Sequence, residues 1–142
     1  MELSDDFIAR GMREAIEMAE RSVQEGGIPI GCVVIDPVTG RTIGRGHNQR
    51  VQKGSWVLHG ETDAIDSIAV EDMGFLHRSV LFTTLSPCSM CAGTIILYRI
   101  KRVVVGESET FLGEEDWLRS RGVTLSNLNS AQCRNLMKTF IT

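Results

Sequence analysis

Positions 59–61 read His-Gly-Glu, and positions 87–91 read Pro-Cys-Ser-Met-Cys. Joined, they give H-x-E … P-C-x-x-C, in which His59, Cys88 and Cys91 can hold one Zn²⁺ and Glu61 can move protons. The reaction such a set suits is hydrolytic loss of ammonia from a base-like heterocycle. A Cys₂His set leaves the fourth tetrahedral vertex for water, the arrangement of catalytic rather than structural zinc. Zinc lowers the pKa of that water to about 7. Glu61 then takes its proton, delivers it to a ring nitrogen and helps protonate the departing ammonia.

Cys88 and Cys91 stand three apart at the start of a predicted helix, so both sulfurs share one face. Pro87 fits beside the first turn, where a missing N–H costs nothing. The partial positive charge of the helix start favours thiolate, the form that binds metal. A lone C-x-x-C also marks redox pairs and zinc ribbons. A ribbon needs a fourth ligand at similar spacing, which Cys133, His47 and His77 do not offer. A redox pair has no need of Pro87 or of an acid two residues past a partner His. Glu61 alone would read as a helix-start acid facing the dipole; beside His59 and the cysteine pair it reads as a proton carrier. Cys32 lies in an apolar run and Cys133 on the predicted last helix, and both read as small buried hydrophobes.

Periodicity supplies the elements that must position these groups. Apolar residues Phe7, Met12, Ala15, Ile16 and Ala19 recur at helical spacing from Ser4 to Gln24, and Gly26-Gly27 ends that helix. Residues 28–36 are β-branched and read as a buried strand, 37–40 as a turn and 41–46 as its hairpin partner. Residues 47–58 read as irregular. Helices are predicted over 62–70, 88–98, 114–119 and 130–140, and strands over 79–84, 102–106 and 123–125. The order α-β-β-α-β-α-β-α-β-α predicts an α/β fold, a three-layer αβα sandwich around a mixed five-stranded sheet. Its first two strands run antiparallel and its later ones parallel.

A chain of 142 residues, 42% apolar and 23% charged, is expected to form one compact domain over 1–142. No apolar run is long enough for a bilayer, and the acidic start does not resemble a leader, so no membrane is expected and the cytoplasm is the expected compartment. Four cysteines fit a reducing environment. A net charge of −3 argues against a nucleic-acid partner and suits a small neutral one.

Five segments carry a family resemblance: Glu25 to Gly31, Gly44-Arg45-Gly46-His47-Asn48, Gln52-Lys53-Gly54-Ser55, Leu58-His59-Gly60-Glu61, and Thr83 to Cys91. Through them the chain resembles the zinc-dependent cytidine deaminase-like superfamily and, within it, the fungal cytosine deaminases, over nearly its whole length. Gly60 is informative, because tRNA adenosine and guanine deaminases of the superfamily typically carry Ala there. The resemblance implies one Zn²⁺ per subunit, a homodimer, and hydrolysis of a free aminopyrimidine base, cytosine to uracil plus ammonia. It implies that Asn48 hydrogen-bonds the ring's polar edge, that backbone groups of Gly60 and Ser86 lie near the base, that Phe111 packs over the ring and that Ile30 lines the floor. Read from the residues alone, Asn48 is equally a turn asparagine, and Phe111 and Ile30 are core candidates. The fungal enzymes continue past the position of Thr142 into a segment that closes their pocket. Asp116 and Trp117 are therefore candidates for the rim, equally part of a capped surface helix, and Trp56, where the fungal pattern has a small residue, is another candidate, equally a loop or dimer anchor. Rival readings are a purine, triazine or pterin-like base, adenosine in tRNA, and a zinc-stapled binding module without catalysis.

Overall fold

The structure is a computed structural model and describes residues 2–141. Ser4 starts helix α1 (Asp5–Gln24): its hydroxyl accepts the Phe7 N–H at 3.1 Å, and Asp5 and Asp6 face the helix dipole. Gly26, at a φ of +81°, turns the chain out of the helix. Strands β1 (Gly31–Ile35) and β2 (Thr42–His47) form the hairpin. Helix α2 (Gly60–Asp66) and a 3₁₀ stretch (Val70–Arg78) lead to β3 (Val80–Leu85). Then α3 (Ser89–Leu97), β4 (Arg102–Glu107), α4 (Glu115–Ser120), β5 (Thr124–Asn127) and α5 (Ala131–Ile141) follow.

The sheet order is β2-β1-β3-β4-β5. β1 runs antiparallel to both β2 and β3, while β3, β4 and β5 run parallel. Alternating side chains divide between two cores. Val33, Ile35 and Phe82 meet Met12, Ala15 and Ile16 of α1, with Cys133 of α5 beside them. Cys32, Val34, Leu81 and Val105 meet Ala64 of α2, Ala92 and Ile95 of α3, and Leu118 of α4. This is the expected αβα sandwich, and β1 and β3 are buried throughout because both their faces are covered.

Three differences from the expected elements bear on the site. β1 starts at Gly31, not within the apolar run from 28. The Ile30 N–H turns back to the Ile28 carbonyl at 2.8 Å, and the Ile30 carbonyl accepts the Asn48 N–H at 3.0 Å, so Ile30 stands outside the strand. α2 starts at Gly60, two residues earlier than expected, which makes His59 its N-cap and puts Glu61 in its first turn. It also ends early, at Asp66, where the Ser67 hydroxyl donates to the Ala64 carbonyl at 2.7 Å.

The hairpin is held by a buried acid. Asp36 accepts the Val38 N–H and the Thr39 hydroxyl, each at 3.0 Å, and both arms of Arg78, at 3.0 and 2.8 Å. Burial alone would raise its pKa, but these donors outweigh it and hold the carboxyl below its ordinary range.

Candidate active site

The starts of α2 and α3 meet beside the edge where β3 and β4 end and β1 begins. His59 caps α2, its N–H donating to Thr62 Oγ1 at 2.8 Å. Cys88 caps α3, its carbonyl accepting the Ala92 N–H at 2.8 Å, and Cys91 lies in the first turn. His59 Nδ1 stands 3.5 Å from Cys88 Sγ and 3.6 Å from Cys91 Sγ. The three ligand atoms lie within 4.8 Å of one another. Tetrahedral zinc with ordinary Zn–S and Zn–N bonds separates such N and S atoms by about 3.6 Å. Two soft sulfurs and an imidazole also favour Zn²⁺ over Mg²⁺ or Ca²⁺. The trio therefore fits zinc without rearrangement, through Nδ1 of the histidine.

The electrostatics agree. A hydrogen bond from the Cys91 thiol pulls Cys88 down to about 4 against the effect of burial, helped by the Cys91 N–H and His59. The same bond, burial and the Glu61 charge push Cys91 well above the ordinary thiol range. The pair thus shares one proton, and a divalent cation is what allows both sulfurs to be thiolates. Glu61 is 4% exposed. Burial pushes it up to about 7; its own N–H, His59 and the Cys91 thiol pull the other way, and the Cys88 charge adds to the rise.

These groups sit at one side of a cavity of about 170 Å³, lined also by Ile30, Asn48, Leu85, Ser86 and Phe111. At about 30 Å³ per water, that is the space of a single substituted ring. Asn48 Oδ1 accepts the Arg50 N–H at 2.9 Å. A backbone N–H can only meet the amide oxygen, so the side-chain NH₂ is the end left for the cavity. Ser86 commits its N–H to the Glu107 carbonyl at 3.0 Å. Phe111, 45% exposed, comes from the loop between β4 and α4.

Four expected positions behave differently. Gly60 does not line the cavity; a Cβ there would come within 3.3 Å of Ile30, so the glycine lets Ile30 lie against α2. Trp56, Asp116 and Trp117 are also outside the lining. Trp56 is 75% exposed and lies under the Arg50 guanidinium, 3.7 Å from its ring centre. The Asp116 side chain is fully in solvent, and Trp117 packs across Gly93 of α3. The residue of that acidic stretch that turns inward is Glu115, bonded to Ser86. Its position next to Asp116 carried no sign of burial, and Leu85 fell one residue past the strand predicted over 79–84.

Residues 6–107 match the zinc-binding region of cytidine and deoxycytidylate deaminases. The chain is 45% identical to the cytosine deaminase of Candida albicans over 133 residues, 93% of this chain and 87% of that one. It is 37% identical to the tRNA-specific adenosine deaminase of Streptococcus pyogenes serotype M18 over 139 residues, 91% and 86% of the two chains. The structure of guanine deaminase from Nitrosomonas europaea superimposes with a TM-score of 0.74 at 21% identity, over 99% of this chain and 95% of that one. That last likeness is one of fold. The matched region contains His59, Glu61, Cys88 and Cys91, the same residues that converge here, and the chain belongs to the cytidine and deoxycytidylate deaminase family of zinc-binding hydrolases acting on carbon–nitrogen bonds.

Proposed function

We propose that the chain deaminates a free aminopyrimidine base, with cytosine going to uracil and ammonia. The observation that carries this reading is the buried Glu61 carboxylate beside the His59–Cys88–Cys91 trio, at one side of a cavity sized for one ring. Zinc, when bound, supplies the Lewis acidity that makes water a nucleophile near neutral pH. Glu61 carries the protons: one from the attacking water to the ring nitrogen, and then one to the amino group as its C–N bond breaks and ammonia leaves. Burial raises its pKa above the ordinary carboxylate range, which favours a group that must both take and give a proton. The Asn48 NH₂ supports recognition of a ring carbonyl oxygen, as on the pyrimidine. Ile30, Leu85 and Phe111 supply flat apolar contact and keep out water.

The higher identity to a cytosine deaminase and the net charge of −3 support a free base. The 37% identity to a tRNA-specific adenosine deaminase favours a second reading, adenosine in RNA. Ammonia release by the zinc-loaded protein from cytosine, adenine, guanine and a tRNA anticodon stem separates the two. Glu61→Gln is expected to lower turnover by about 10²–10⁴-fold with zinc content and melting unchanged. Turnover that survives this change would remove Glu61 from the chemistry.

The same reading includes a homodimer, supported by Val70, Met73, Leu97 and Tyr98, which lie exposed around one hollow beside α2 and α3. The buried free thiols of Cys32 and Cys133 support a reducing, cytoplasmic setting.

A further inference from the structure

Glu115, the first residue of α4, is 5% exposed, although a carboxylate is costly to bury. The proton route above makes no use of it, and it does not line the cavity. Its Oε2 accepts the Ser86 hydroxyl at 2.8 Å and Asn127 Nδ2 at 3.3 Å. The Ser86 oxygen accepts the Gly113 N–H at 3.0 Å, and Asn127 Nδ2 also donates to Ser108 Oγ at 2.8 Å. Ser108 and Gly113 are the two flanks of the loop that carries Phe111. Inside those flanks, Phe111 and Leu112 are 45% and 69% exposed. The ring is therefore held against the cavity by its flanks more than by its own burial.

A hydroxyl has one proton to give. A carboxylate only accepts, so Ser86 commits that proton to Glu115 and turns its lone pairs to Gly113. Without Glu115 the hydroxyl is free to rotate, and two anchors of the loop lose their common acceptor, leaving the Thr110 N–H on Glu107 Oε2 at 3.0 Å and the Glu114 N–H on the Pro87 carbonyl at 2.9 Å. We propose that Glu115 is a positioning residue: through Ser86 and Asn127 it sets loop 108–114 so that Phe111 closes one wall of the pocket over a flat ring. The proposal rests on the reading of this cavity as a nucleobase site, and it predicts a defect in holding substrate more than in chemistry.

The test compares Glu115→Ala, Glu115→Gln and Ser86→Ala in the zinc-loaded protein, by cytosine kinetics and amide hydrogen exchange. Glu115→Ala is expected to raise KM about tenfold, the worth of one hydrogen bond to a charged group, with kcat lowered by less than about threefold. Exchange at residues 110–114 rises while zinc content stays the same. Glu115→Gln keeps an oxygen that can accept both bonds, and restores KM and exchange to near the parent values. Unchanged exchange and KM in Glu115→Ala would overturn the proposal, as would a fall confined to kcat. Glu115→Gln behaving like Glu115→Ala would also overturn it, by assigning the effect to lost charge. Should Glu115→Ala not fold, Ser86→Ala deletes the same bridge and is expected to give the same rise in exchange; no rise there counts against the proposal. A parent protein inactive on every base, with the exchange pattern as expected, would sink the substrate reading and leave the positioning role standing.

Discussion

Gly46 of β2 lies directly beneath Ala64 of α2: a Cβ at position 46 would stand 2.8 Å from the Ala64 Cα. Gly44, two residues away on the same face, meets the Ala64 carbonyl in the same manner, at 2.6 Å. Both contacts are with backbone, which cannot swing aside as a side chain does. These glycines let α2 settle onto the sheet, and α2 carries His59 and Glu61 at its start. Gly46→Ala is expected to cost about 1–3 kcal/mol of stability by overpacking. Displacing the start of α2 by about 1 Å should also lower turnover by about a hundredfold. Denaturant unfolding and kinetics on one preparation check both; a fully active, fully stable variant would show that the helix can lift without moving its first turn.

Metal removal has a stability readout separate from turnover. The trio joins the starts of α2 and α3, and a ligand present at a thousand times its Kd stabilises a fold by about 4 kcal/mol. Chelation should therefore lower the melting temperature by roughly 10 °C for a chain of this size. Added Zn²⁺ should restore both melting and activity, and Cys91→Ser should melt like the stripped parent protein. A melting curve indifferent to chelator would mean the two helix starts do not depend on the ion.

Asn48→Asp separates reading of the ring from folding. The substituted side chain keeps an oxygen for the Arg50 N–H, so the local turn survives. It loses the NH₂ donor and places a carboxylate where the ring carbonyl is expected. KM for cytosine should rise by about ten- to a hundredfold, with melting within about 1 kcal/mol of the parent. An unchanged KM would show that Asn48 serves only its turn.

Acid stability should depend on Asp36. Its folded pKa lies below the unfolded value, so between the two the unfolded chain binds more protons and stability falls as pH drops. The contribution is complete above the ordinary aspartate value and is lost as pH falls through the depressed folded one. Arg78→Ala should cost about 2 kcal/mol near neutrality, because it removes both charged bonds and leaves Asp36 only the neutral Val38 N–H and Thr39 hydroxyl. The gap between variant and parent should narrow below about pH 4. Urea unfolding at several pH values measures that gap; a constant gap would exclude the ion pair as its cause.

The convergence of His59, Glu61, Cys88 and Cys91 was legible because short local spacings fix each half of the set: C-x-x-C at a helix start presents both sulfurs to one point whatever the rest of the chain does. The sandwich was legible for a similar reason, since the alternation of helical and β-branched segments leaves few ways to cover a sheet. Ile30, to which only the family resemblance pointed, was hidden by its own composition when read from the residues alone. It belongs to a run that reads as strand from residue 28, and only the turn of its N–H to Ile28 takes it out of register. Glu115 was hidden by its neighbours. Glu114, Glu115 and Asp116 read as one solvated face, and Glu115 is turned inward by Ser86 and Asn127, which are 29 and 12 positions away. Trp56 had two readings, pocket rim and loop or dimer anchor; it stands exposed outside the cavity lining, beneath the Arg50 guanidinium.

His59, Glu61, Cys88 and Cys91 are anchored at the mouths of two helices, whereas Ile30, Asn48 and Phe111 all lie just beyond strand ends. On the proposed reading, reactivity and selectivity are mounted on separate parts of the scaffold. Replacing the three loop side chains should retune which heterocycle is accepted while the hydrolytic apparatus stays put, so a library confined to those three positions is the economical route to an enzyme with a different appetite.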